Sequence, residues 1–163
     1  MGKGAEPCIF LATDSSPGRW EGMTSPSPMS SLDFPPSQVL FDHERLEVYQ
    51  QALAFLVHAD EIAAKLPKGR AYLADQLHRA ALSAVLNIGE GAGEFSKKEK
   101  ARFYRMALRS GTECAAVLDG CRVLQLADFD DIARGRQELF SVVRMLSRMV
   151  LNLRATRSKK AKS

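Results

Sequence analysis

From Phe41 to Leu153 the apolar residues recur every three or four positions, and no run alternates long enough to predict a strand. The first helix is predicted over about 43–66, with Val48, Ala52, Phe55, Ala59, Ile62 and Leu66 on one face. It stops at Pro67-Lys68-Gly69, where two helix breakers flank a lysine. The second is predicted over about 71–90, with Leu73, Leu77, Ala80, Ala84 and Ile88 along one side. Gly89, Gly91 and Gly93 are expected to end it, because glycine takes the left-handed conformation of a C-cap freely. The third opens at Ser96-x-x-Glu99, a capping box in which hydroxyl and carboxylate each satisfy an orphan backbone N–H. Phe103, Ala107, Ser110, Cys114, Val117, Cys121 and Leu124 follow as a heptad seam. The fourth begins near Asp128-Phe129-Asp130-Asp131, acids suited to a helix start, and carries Ile132, Leu139, Val142, Leu146, Met149 and Leu153. Long helices joined by short connections predict an all-α fold, an antiparallel up-down-up-down four-helix bundle.

A second apolar stripe runs along two of these helices: Leu46, Tyr49, Leu53 and Leu56 on the first, Val143 and Val150 on the fourth. Either it widens the buried face of one chain or it covers a second copy, and periodicity leaves both open.

Composition sets the limits of this region. Six of the 7 prolines lie before residue 41, among Ser-rich runs such as Ser25-Pro26-Ser27-Pro28. Residues 1–40 therefore read as a disordered extension, and Met23 and Met29 within it leave open a later translation start. Residues 41–154 form the helical domain and 155–163 a short basic tail. With 45% apolar and 26% charged residues in 163, the chain is of globular type. Three cysteines, an odd number, and no secretory or membrane-spanning run point to a reducing, cytoplasmic setting.

Signatures of catalysis are lacking. His43, His58 and His78 stand apart from any second ligand at metal spacing, and no Glu-x-x-His pair marks a di-iron bundle. Gly89-Glu90-Gly91-Ala92-Gly93 follows a helix and lacks the Lys-Ser/Thr of a phosphate loop. Cys114 and Cys121 fall on the core seam, where thiols behave as small hydrophobes. The expectation is a protein with no metal, no cofactor and no enzymatic activity. One polar stripe stands out on the second helix, formed by Gln76, Arg79, Ser83, Asn87 and Glu90. Arg102, Ser110 and Glu113 on the third helix are its candidate partners, and plain solvated surface is the other reading.

Charge is more informative than its total of +4. Residues 1–40 carry 2 basic and 4 acidic groups, 41–95 carry 5 and 8, 96–126 carry 7 and 3, 127–154 carry 5 and 4, and 155–163 carry 4 and 0. The excess sits on the third helix and the tail. Lys98, Arg102, Arg105 and Arg109 share one face of that helix, and Arg157, Lys159, Lys160 and Lys162 supply the tail. Such a row is a footprint for a phosphate backbone, although many cationic rows are only solvated surface. With no base-reading motif, binding to RNA or DNA is expected to be sequence-tolerant and salt-sensitive.

The run Gln76-Leu77-His78-Arg79-Ala80-Ala81-Leu82-Ser83, then Asn87-Ile88-Gly89-Glu90-Gly91-Ala92-Gly93, then Ser96, Glu99, Arg102-Phe103 and Ala107-Leu108-Arg109-Ser110, resembles a known family. Leu46-Glu47-Val48-Tyr49-Gln50 fits it too. These are the bacterial four-helix-bundle proteins encoded in intervening sequences of 23S ribosomal RNA genes, related to the accessory protein of diversity-generating retroelements. The resemblance covers about 41–153 and implies an antiparallel bundle that assembles as a homopentamer without known catalysis. By the retroelement relative it also implies nucleic acid and a reverse transcriptase as partners. The chain departs from the family pattern at Gly89, where alanine is usual, at Cys114, where leucine is usual, and in residues 1–40. The leading expectation is a non-enzymatic, self-associating bundle that presents cations to RNA or DNA. The alternative is a structural oligomer or protein-interaction adaptor with no nucleic-acid role.

Overall fold

A computed structural model describes residues 41–160, with side chains to Ala155; the expected disordered extension 1–40 and residues 161–163 lie outside the described residues. The chain enters through a 3-10 turn, Asp42–Arg45, and Leu46 in extended conformation separates it from α1, Glu47–Lys65. Pro67 follows as the sequence predicts, and a second 3-10 turn, Lys68–Arg70, leads into α2, Ala71–Gly93. Next come α3, Lys97–Val123, and α4, Phe129–Lys160. Among the described residues the fold is all-helical, a four-helix bundle without strands.

Three boundaries differ from the reading of the sequence. α2 does not stop at Glu90 but runs on through Gly93, with Gly89 and Gly91 inside it. Packing explains why. A Cβ on Gly91 would lie 2.5 Å from Tyr104 Cε1, so glycine here admits a ring against the helix rather than ending it. α4 continues through Lys160, so the backbone of Arg157, Lys159 and Lys160 is helical where an irregular tail was expected, while Lys162 is outside the described residues. The capping box forms only by half. Ser96 Oγ accepts from Glu99 N–H at 3.4 Å, but Ser96 N–H donates to Glu94 Oε1 and the Glu99 carboxylate pairs with Arg102. A neighbouring carboxylate and a guanidinium one turn away outcompete the reciprocal bond.

The predicted faces of α1 and α2 are the buried ones, with Leu66 and Leu73 partly covered at the ends. On α3 the seam shifts: Tyr104 is buried where Phe103 was expected, since Tyr104 fills the space left by Gly91, and Leu124 is exposed. α2 carries many alanines on its buried side, which lets α3 approach closely. Half-buried Leu46, Tyr49, Leu53 and Leu56 pack on the core, so the second stripe of α1 is largely used within one chain.

Contacts fix the register between neighbours. α2 meets α3 at Ser83–Ser110 and at Gly91 against Tyr104; α3 meets α4 at Asp119–Arg136 and at Gly111 against Val143. α4 returns to α1 through His58–Glu138 at 3.1 Å and Lys65–Asp131 at 2.6 Å. The hydrogen bond and the charge of Asp131 raise the Lys65 pKa above its usual value, and the same bond holds the Asp131 carboxyl below its own. No helix among the described residues is long and apolar enough to cross a membrane.

Candidate nucleic-acid interface

α3 is a rod whose inner side is fixed by small and apolar residues, which leaves the remaining positions to face outward. Lys98, Arg102, Arg105 and Arg109 are all exposed along it. Arg102 does not turn to the polar stripe of α2; its Nη1 donates to Glu99 Oε2 at 3.2 Å, one turn away on its own helix. Lys98, Arg105 and Arg109 have no ion-pair partner among the described residues. No acid lies between Glu99 and Glu113.

The register runs α4 alongside this helix. Asp119 opposite Arg136 and Gly111 opposite Val143 bring Arg109 level with Met145 and Arg105 level with Met149. Arg144, Arg148 and Arg154 on α4 are exposed at these levels, and Arg144 and Arg148 stand two turns beyond Gln137 and Ser141, on the outer side of α4 toward α1. They too lack an acid partner among the described residues, and after Glu138 the sequence contains no acid at all. Sequence reasoning passed over these three arginines, although the acid-free stretch was in plain view; its meaning depends on which helix lies alongside.

Farther along the same two helices the cations are neutralised. Arg136 and Arg122 share Asp119, and Arg134 pairs with Glu138. The field is strongest where α3 begins and α4 ends. Backbone of the tail positions Arg157, Lys159 and Lys160 continues α4 past that region.

The polar stripe of α2 is a packing device for most of its length. Arg79 donates to Gln76 Oε1, Gln76 Nε2 donates to Glu113 Oε1, Ser83 and Ser110 hydroxyls meet at 2.9 Å, and Asn87 donates to Ser83 O at 2.7 Å. This ladder ties α2 to α3 and sets their register, and Glu90 stands exposed outside it. Arg79 reaches Glu113 only through the Gln76 amide, by two exposed hydrogen bonds, so the stripe holds no buried Arg–Glu pair.

Other chemistry finds little support in the geometry. His58 is buried with Nδ1 on Glu138 Oε2, and its Nε2 has no partner among the described residues. His78 Nε2 comes within 3.0 Å of exposed Asp60. No group of three His, Cys, Asp or Glu gathers at metal distance among the described residues. Burial pushes the Cys114 thiol up to about 12 and raises that of Cys121, so neither supplies a thiolate near neutral pH. A shallow groove of about 340 Å³ between α1 and α4 is lined by Gln51, Ala54, Arg134, Gln137, Glu138 and Ser141. Its one cation, Arg134, is already held by Glu138.

A family model described as 23S rRNA-intervening sequence protein matches residues 44–148, which is most of the described structure and more than half of the chain. No curated protein matches the chain.

Proposed function

The chain belongs to the 23S rRNA-intervening sequence protein family, and from that premise we propose that it is a non-enzymatic, sequence-tolerant RNA- or DNA-binding protein. The observation that carries this reading is the row of exposed cations on α3, Lys98, Arg105 and Arg109, none with an acid partner among the described residues, with Arg144, Arg148 and Arg154 likewise exposed on the acid-free end of α4. Guanidinium groups at helical spacing follow a phosphate backbone without reading bases, so affinity comes from counterion release and falls steeply with salt.

The helices alternate in direction, and the chain acts as a self-associating unit in the cytoplasm. Val57, Leu82 and Leu86 on α1 and α2 are each about half exposed and supply an apolar surface for a second copy. Assembly would multiply the basic surface and raise avidity for a long polyanion. A polymerase that handles nucleic acid, such as a reverse transcriptase, is a fitting protein partner for a particle of this kind.

The test is the double variant Arg105→Glu and Arg109→Glu, measured by fluorescence anisotropy against generic RNA over a range of salt. Loss of two phosphate contacts lowers the slope of log affinity against log salt by about 1.5, with the circular dichroism helix signal unchanged. Wild-type affinity in that variant removes α3 from the function. A wild type that forms a defined oligomer but retains no nucleic acid at physiological salt supports the adaptor reading instead.

A further inference from the structure

Phe95 is the one large apolar side chain among the described residues that is 100% exposed. It stands at the middle of the three-residue loop between α2 and α3, flanked by Glu94 and Ser96, both in extended conformation. Single exposed apolar residues are common and need no explanation. Two features set this one apart.

The first is rigidity. Glu94 Oε1 accepts from Ser96 N–H at 3.2 Å, which bridges the loop directly across Phe95. Lys100 Nζ donates to Ala92 O at 3.1 Å and bolts the first turn of α3 to the last turn of α2. Below that, the ring of Tyr104 sits against Gly91. The loop backbone is held from three sides, and the Phe95 ring stands wholly in solvent.

The second is surroundings. Lys97, Lys98, Arg102 and Arg105 follow Phe95 on α3, and the end of α4 with Arg154 lies alongside. Glu94, the nearest acid, is occupied by the Ser96 N–H, and Glu99 by Arg102. Phe129, the exposed aromatic at the start of α4, makes the contrast: three acids flank it, Asp128, Asp130 and Asp131, and among the described residues only Asp131 has a cation partner, Lys65.

Resting on the nucleic-acid reading above, we infer that Phe95 is a stacking platform for an unpaired base, so that the surface prefers single-stranded nucleic acid over duplex. An exposed aromatic ring on a braced loop, followed by a line of cations, matches what a single strand offers, a base face and a phosphate row. In a duplex the bases are stacked on each other and only the phosphates reach the protein.

The experiment compares the full chain with Phe95→Ala by anisotropy, using a labelled oligouridine and a labelled GC-rich RNA duplex of equal length at low salt. The expected result is oligouridine affinity about tenfold weaker, the value of one stacked base, with duplex affinity within about twofold of wild type. Phe95→Trp restores oligouridine binding, and its added fluorescence over the Trp20 background is quenched on titration. If Phe95→Ala weakens neither probe, or both equally, the stacking role is overturned while the cationic surface stands. Wild type that binds neither probe overturns the function and the platform together. Loss of a protein contact in Phe95→Ala, with both nucleic-acid affinities intact, assigns the ring to a protein partner and also overturns it.

Discussion

Two glycines two positions apart show how differently the same residue type can be used. Gly89 faces His43 and Tyr49 at ordinary contact distance, 3.9 and 4.0 Å from where a Cβ would stand, so a methyl group fits. Gly91 faces the Tyr104 ring at 2.5 Å, where no Cβ fits unless the ring moves. Gly89→Ala is therefore expected to stabilise the fold by about 0.5–1 kcal/mol, through the lower entropy of the unfolded chain. Gly91→Ala is expected to destabilise it by about 1–3 kcal/mol through overpacking. Urea unfolding of the two variants gives both signs, and a neutral Gly91→Ala would show that Tyr104 yields easily. The sequence alone shows a glycine cluster and suggests one use for it, a helix end. The alternative requires knowing that a tyrosine thirteen positions later comes back to the same spot.

At the level of helices, what could be read in advance was whatever depends on near neighbours. The start of α3 is set by Ser96 and its N-terminal turn, and α1 ends at Pro67 as its breaker pair dictates. The end of α3 illustrates a different local rule. Leu126 N–H reaches Cys121 O at 2.9 Å and Gln125 N–H reaches Arg122 O at 3.1 Å, the two bonds of a Schellman termination. That motif needs a left-handed residue, and Gln125 takes it at φ 54°, where glycine would be free of strain. Gln125→Gly is expected to raise stability by about 1 kcal/mol, measured as a shift in the urea midpoint with an unchanged slope. A lower midpoint would mean that the glutamine side chain contributes more than its backbone costs. The buried faces of α1 and α2 and the Ser96 hydroxyl cap were legible from the sequence because they depend on residues within a few positions, whereas the end of α2 and the place of Tyr104 on α3 depend on contact between helices. The levels at which Arg144 and Arg148 stand along α3 were not legible either, because the contacts of Asp119 with Arg136 and of Gly111 with Val143 set them.

For the whole molecule the sharpest prediction concerns that alignment. If the basic surface spans two helices, Arg144→Glu with Arg148→Glu weakens generic RNA binding about as much as the α3 double variant, each lost phosphate contact lowering the salt slope by about 0.7–0.9. Anisotropy against the same RNA checks it, and undiminished binding would confine the interface to α3 and the tail. The sequence places the excess charge on α3 and the tail and, through short connections, the fourth helix next to the third, but it does not set the register between them. Residues 41–95, which build α1 and α2, carry 5 basic and 8 acidic groups, whereas 96–155 on α3 and α4 carry 12 and 7. The molecule thus has one negative flank and one positive flank on either side of its long axis. In the field of a polyanion such a body feels a torque as well as a pull, and it rolls until α3 and α4 face inward before the surfaces touch. That rotation acts only within the reach of unscreened charge, about 8 Å at physiological ionic strength and about 30 Å in dilute buffer, so added salt costs the protein its orientation on approach as well as its grip.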